Sequence, residues 1–181
     1  MKGFTLVEVL VVAAITVLLT GFMVANFSRS RVDLNQTALM VQDAIREAQS
    51  MALSGALYAK PGVSGSYRCG YGIHFMANGF TLYAGPDSGT ADCSSLNRNY
   101  DAGTDDVVRT GLLSNATVEI VLPAPDIFFQ PPNPDTYINN DDSPGNYADI
   151  HVRRQGADCS GTSTPDCRTI HVTTAGIITT K

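Results

Sequence analysis

One stretch limits what this chain can become. Between positions 4 and 27 Glu8 is the only charged residue, in about 24 residues dominated by Val, Leu, Ala, Ile, Phe and Met. About 20 helical residues cross the hydrocarbon core of a bilayer, so this run is long enough to span one. A carboxylate in such a helix costs roughly 2.5–3.5 kcal/mol at mid-membrane on insertion scales, so Glu8 calls for a compensating partner. The run is unlike an ordinary secretory signal. Lys2 is the only basic residue before it, and no small-x-small cleavage site lies after it.

Helical patterning continues beyond the apolar run. Leu34, Ala38, Val41, Ile45, Ala48 and Ala52 recur at spacings of four and three, which is one face of a helix. Arg29, Arg31, Asp33, Asp43, Arg46 and Glu47 fall on other faces, no Pro intervenes, and Gly21 is the only glycine between positions 4 and 54. The pattern predicts a single helix over 4–53, roughly 75 Å long at about 1.5 Å per residue. Its first half is apolar all round and its second half is amphipathic, suited to lie on a sheet.

The remainder of the chain reads as short strands between loops. Ser54-Gly55 and Pro61-Gly62 punctuate its start. Ile73, Phe75 and Ala77 alternate with His74 and Met76, and Phe80, Leu82 and Ala84 alternate with Thr81 and Tyr83. Asn78-Gly79 between the two runs predicts a hairpin with a type I′ turn, in which both central residues need positive φ. Residues 85–106 read as a polar loop, and 131–146 as another, too rich in Pro, Asn and Asp to be regular. Further strands are predicted over 107–113, 117–122, 127–130, 149–154, 168–174 and 177–180, the last two joined at Ala175-Gly176. The fold class expected is α+β, one long helix on a mainly antiparallel sheet.

The four cysteines, Cys69, Cys93, Cys159 and Cys167, form an even set lying wholly after the apolar run, consistent with an oxidising compartment. Cys69 just precedes the hairpin and Cys93 comes shortly after it, so a bridge between them would tie its open ends. The close spacing of Cys159 and Cys167 suggests a second bridge. On sequence alone the other two pairings stay open.

The N-terminal element Gly3-Phe4-Thr5-Leu6-Val7-Glu8, fused to a spanning helix, resembles the processing site of type IV prepilins and type II secretion pseudopilins. The resemblance implies a leader of residues 1–3, removed by a prepilin peptidase between Gly3 and Phe4, and methylation of the new Phe4 amine. It implies that Glu8 pairs with the N-terminal amine of a neighbouring subunit, which supplies the compensation that its burial in lipid demands. The implied layout is an assembly and transmembrane half over 4–27, an amphipathic half over 28–53, and an extracytoplasmic β-rich domain over 54–181. A long helix, an early hairpin, Phe128-Phe129-Gln130-Pro131 and a terminal hairpin make the order most similar to the H-type pseudopilins and related minor pilins. Many members carry a helix-breaking Pro in the apolar segment. Here Ala25 and Asn26 stand thereabouts, so a kink there is not carried over.

Signals of catalysis are missing. No Gly-x-Ser-x-Gly, Walker loop, dinucleotide fingerprint or His-Glu-x-x-His occurs, and the expectation is no enzymatic activity. His74, His151 and His171 each fall mid-strand with no finger-like spacing, and read as solvent-facing; matching contexts would let His151 and His171 face each other across neighbouring strands. Calcium is the one cofactor for which the chain offers ligands. Asp101, Asp105 and Asp106, or Asn139, Asn140, Asp141, Asp142 and Asp149, offer oxygen ligands in loops, but without EF-hand spacing.

Net charge is −5, and residues 101–181 hold eleven acidic against five basic side chains, about −6. That is not the footprint of a phosphate-backbone binder. The function that the resemblance implies is a structural subunit, assembled from the inner membrane into a type II secretion pseudopilus or type IV pilus. Its partners would be the peptidase, sister subunits and the membrane, and its C-terminal domain would be extracytoplasmic. A minor subunit is favoured over a major pilin. The binding-module alternative is a minor pilin for DNA uptake, with Arg153, Arg154 and Arg168 clustering near the terminal hairpin.

Overall fold

The computed structural model describes residues 5–55, 68–85, 93, 96–113, 115–131, 135–160 and 164–181, with the side chains of 24–31 left aside. Helix α1 runs unbroken from Leu6 to Leu53, 48 residues. At its start Thr5 and Glu8 form a reciprocal cap. The Thr5 hydroxyl oxygen accepts the Glu8 N–H at 3.3 Å, and the Glu8 carboxylate accepts the Thr5 N–H at 3.3 Å. The Thr-x-x-Glu spacing is legible in the sequence as a capping box, and an acid in the first turn also meets the positive end of the helix dipole.

Leu34, Ala38, Val41, Ile45, Ala48 and Ala52 are all buried, as their periodicity predicts. They lie across two antiparallel sheets. The first has the order β3-β2-β1-β5-β6, with β1 Tyr71–Met76, β2 Gly79–Ala84, β3 Asp106–Leu112, β5 Ile127–Gln130 and β6 Asp135–Ile138. The second has the order β4-β7-β8-β9, with β4 Val118–Ile120, β7 Tyr147–Arg154, β8 Cys167–Thr173 and β9 Ile178–Thr180. The common core joins the helix to Ile73, Phe75, Phe80, Leu82, Ile127 and Phe129 of the first sheet and to Ile150, Val152, Ile170 and Val172 of the second. Each fully buried side chain of this size contributes about 1.5–3 kcal/mol. Polar contacts fix the helix on the sheets: Gln49 Nε2 donates to Gly176 O at 2.9 Å, Asn115 Nδ2 to Asp33 Oδ2 at 2.7 Å, and Arg168 Nε to Asn35 Oδ1 at 2.8 Å.

The early hairpin forms, but its turn is displaced by one residue from the expected one. Met76 pairs with Gly79, so Ala77 and Asn78 are the turn residues, and neither they nor Gly79 have positive φ. Third parties decide this. Ala77 O accepts the Ile120 N–H and Asn78 O the Leu113 N–H, both at 2.9 Å. Gly79 is drawn into β2 against Gly111, whose carbonyl oxygen lies 2.2 Å from where a Gly79 Cβ would stand. Glycine is required here by close approach, not by turn geometry. Gly79→Ala is therefore expected to cost about 1–3 kcal/mol, the range for overpacking. Thermal unfolding of the two proteins checks it, and an unchanged midpoint would mean that β2 and β3 part without cost.

The type I′ turn occurs elsewhere. Asn139 and Asn140 have φ of 49° and 65°, and Ile138 and Asp141 exchange main-chain hydrogen bonds at 2.9 and 3.1 Å around them. This corrects the reading of 131–146 as irregular. β6 lies inside it because Thr136 and Ile138 alternate inward, and that period outweighs the local excess of turn formers.

A second, smaller core sits on the opposite face of the first sheet. Cys69, Tyr83 and Phe128 are buried there beneath Cys93, Leu96, Tyr100 and Tyr137. β2 is consequently buried on both faces. Both disulfides expected from spacing form, Cys69–Cys93 and Cys159–Cys167, with Cα separations of 5.7 and 5.8 Å. Such bridges typically stabilise by about 2–4 kcal/mol.

Candidate functional site

The apolar half of α1 is the most unusual surface of the molecule. None of the residues from Leu6 to Met23 is buried, and their mean hydropathy is 2.4, long and apolar enough to cross a membrane. Leu6, Leu10, Val17, Leu18 and Phe22 are each more than 60 % exposed. So large an uncovered apolar surface has the character of a membrane span or of a signal sequence. The two hydroxyls in this region need no water. Thr16 Oγ1 donates to Val12 O and Ala13 O at 3.0 and 2.9 Å, and Thr20 Oγ1 to Thr16 O at 2.8 Å, which suits them to a medium without donors or acceptors. Glu8 shares one surface hollow with Val9, Val12 and Ala13. Gly3 and Phe4 lie outside the described residues.

Within the single chain Glu8 also has a local role. Besides the two bonds of the cap, its carboxylate accepts the Thr5 hydroxyl at 3.3 Å. The cap engages one carboxylate oxygen at long distances, and no cation pairs with Glu8 among the described residues.

The calcium candidates do not converge. Among the described residues no three His, Cys, Asp or Glu side chains come together as a metal set. Asp106 is paired with Arg68, Asp101 Oδ1 accepts the Gly103 N–H at 2.8 Å, and Asp141 accepts both the Ser143 N–H and hydroxyl at 2.9 and 2.6 Å. The ion pair of Asp106 and the turn-forming bonds of Asp101 and Asp141 use the same lone pairs a cation would need.

Asp105 differs from its neighbours. It is 9 % exposed, Oδ2 accepts the Asp101 N–H at 2.8 Å, and Oδ1 has no partner. Burial pushes its carboxyl above the ordinary 3.8, and the Asp101 and Asp106 charges act the same way against the Asp101 N–H and Arg68. A raised folded value means that its stabilising effect is complete below the unfolded value and is lost as pH rises through the folded one. Asp105→Asn is therefore expected to gain on the wild type as pH rises from about 4 to 7. Thermal midpoints across that range test it, and a gap independent of pH would overturn it. Asp141 and Asp158, held low by Ser143 and Ser160, act in the opposite sense, below the carboxylate range.

The histidines are half-exposed, and His151 and His171 do not stand directly opposite each other, which corrects that part of the sequence reading. Register places His171 opposite Asp149 and His151 opposite Thr169. His171 Nδ1 lies 2.7 Å from Asp149 Oδ1 and His151 Nδ1 2.9 Å from Thr169 Oγ1. His74 Nδ1 lies 2.8 Å from Asp126 Oδ1, with its ring stacked on Tyr100 at 4.9 Å. Arg153, Arg154 and Arg168 each have a partner: Arg153 pairs with Glu119, Arg154 with Asp166, and Arg168 reaches Asn35.

Arg98 is a residue that sequence patterning gave no reason to single out. It is 6 % exposed, yet no carboxylate bonds it among the described residues. Its guanidinium donates to Gln130 Oε1 at 2.8 Å, Leu96 O at 3.0 Å, Asn140 Oδ1 at 3.3 Å and Cys93 O at 2.7 Å, and lies 4.0 Å over the Tyr137 ring. Its own carbonyl accepts the Tyr83 hydroxyl at 2.6 Å. Burial, reinforced by Asp126 and Asp105, holds that phenol well above its ordinary value, so it stays a donor. Arg98 thus clamps the segment beneath which the smaller core is buried.

Comparisons with protein-family models, with curated proteins and with solved structures found no match to this chain. The functional reading rests on the residues themselves.

Proposed function

We propose that this chain is a membrane-anchored filament subunit of the prepilin and pseudopilin kind, most similar to the minor subunits of type II secretion pseudopili and type IV pili. The observation that carries the reading is the single rod of α1. Its C-terminal half is the spine of a disulfide-bonded β domain, while its N-terminal half projects uncovered, apolar on every side and acidic only at Glu8. A plain anchor needs neither the rigid continuation nor the carboxylate. A subunit that bundles with its copies needs both, because the helices cover one another and Glu8 meets the amine of a neighbour. In this scheme a prepilin peptidase cuts between Gly3 and Phe4, Phe4 is N-methylated, and the β domain stands outside the inner membrane, where disulfides persist. The ion-paired arginines weigh against the DNA-uptake alternative.

The intact mass and N-terminal peptide of the protein recovered from cells test the reading. A chain beginning at Phe4 with one added methyl group is expected. A chain still beginning at Met1, or cut beyond Phe27, overturns it. Abundance in sheared filaments then separates a major from a minor subunit.

A further inference from the structure

The β domain contains an unfilled strand position. β4 pairs with β7 in the register Ile120 to Val152, and the ladder ends where the Val121 N–H donates to His151 O at 2.9 Å. In this register the main-chain groups of His151 point toward β4, and by the two-residue repeat of a strand so do those of Asp149 and Tyr147. Continuing the register would set Pro123 opposite Asp149 and Pro125 opposite Tyr147. Neither proline has an N–H to donate, so the chain cannot extend its own ladder past Val121. Among the described residues no strand reaches the Asp149 N–H, the Asp149 carbonyl or the Tyr147 carbonyl. In place of a strand there is a groove of about 580 Å³ lined by residues 123–125 and 147–149, with Ile138 and Asn139 also in its walls and open to solvent.

The walls carry a charge preference. Among the described residues, Asp141 and Asp149 are the only charged ones lining the groove. The Ser143 hydroxyl and N–H hold Asp141 below the usual carboxylate range, so it is ionised at neutral pH. Asp149 gives one oxygen to His171, and the exposed Tyr147 ring, tilted against His171 at 5.1 Å, stands beside it. Carboxylates next to an aromatic face suit an ammonium or guanidinium group with an aliphatic stem.

We propose that this groove receives an extended Lys- or Arg-bearing segment of a partner protein, added as a strand on the free edge of β7. Main-chain bonds to Asp149 and Tyr147 supply affinity, and the carboxylates select the basic side chain. The site is independent of α1 and of the reading proposed for it.

The test uses the full-length chain in detergent micelles. The probe is the peptide Thr-Lys-Val-Lys-Thr, acetylated and amidated at its ends, beside a version with Glu for Lys and a version with N-methylated backbone amides. The Lys peptide is expected to slow hydrogen exchange at the Asp149 amide, with the Glu peptide at least about fivefold weaker and the N-methylated one at least about tenfold weaker. Asp141→Asn, which keeps the acceptor for Ser143, should weaken the Lys peptide about twofold to fivefold, the range of an exposed ion pair. Replacing Pro123 and Pro125 together by Thr restores the donors. That variant should protect the Asp149 amide without peptide and lose binding. No protection at millimolar peptide, equal binding of the N-methylated peptide, or undiminished binding to the double variant each overturns the proposal. Protection that rises with protein concentration in the absence of peptide would assign the edge to a second copy of this chain, and overturns it as well.

Discussion

Glu8→Gln is expected to fail in assembly as completely as Glu8→Val, although it should leave the isolated chain almost unchanged. Gln at the third helical position preserves the capping box, because its carbonyl oxygen accepts the Thr5 N–H as the carboxylate does. If capping were the whole role of Glu8, Gln would suffice, and Val would cost only the ~1 kcal/mol typical of a lost cap. The proposed pairing with a neighbouring N-terminal amine is different, since it requires the negative charge. A hydrogen bond to a charged group is worth about 1.5–3 kcal/mol in proteins, and losing this one leaves a cation unpaired in an apolar bundle. Incorporation beside co-expressed wild type should therefore fall at least about tenfold for both variants, a tenfold change being about 1.4 kcal/mol. Processing after Gly3 should continue in both. Recovery of the Gln variant from filaments at wild-type level would confine Glu8 to the cap.

The second large effect concerns stability. Arg98→Ala is expected to cost about 3–5 kcal/mol, since four acceptors lose a donor that carries charge and the Tyr137 face loses its cation. Relief from burying the guanidinium offsets part of the loss. At about 2–4 °C per kcal/mol for a chain of this size, the midpoint should drop by roughly 6–20 °C. Arg98→Lys should recover little. An ammonium has three donors on one atom and no flat surface to lay on Tyr137, so it cannot reach Gln130, Cys93 and Leu96 together. Near-UV circular dichroism of the tyrosines during thermal unfolding, in detergent micelles, gives the measurement. A drop of less than about 2 °C for Arg98→Ala would show that the smaller core holds without its clamp.

Local repetition accounts for what was legible in advance. The apolar run, the four-and-three spacing from Leu34 to Ala52 and the alternation of Ile73, Phe75, Phe80 and Leu82 are properties of neighbouring residues. Those determine helix, strand and buried face without reference to the rest of the chain. The Thr5-x-x-Glu8 cap is equally local, but it emerged from the structure, since the resemblance gives Glu8 only a neighbouring amine as partner. The two disulfides were within reach because few partners exist and short separations favour closure.

Tertiary structure decided everything that depended on a distant partner. Gly79 left its expected turn because the Gly111 backbone needed the space and Ala77 and Asn78 were engaged by Ile120 and Leu113. A type I′ turn formed instead at Asn139-Asn140, where β6 had to fold back to meet Asp141. The burial of Arg98, the separate partners of His151 and His171, and the gap that Pro123 and Pro125 leave beside β7 all result from register between strands. Register is set by closing the whole sheet over the helix. A sequence states which residues are able to pair, but the sum of all the contacts made at once selects the pairs that form.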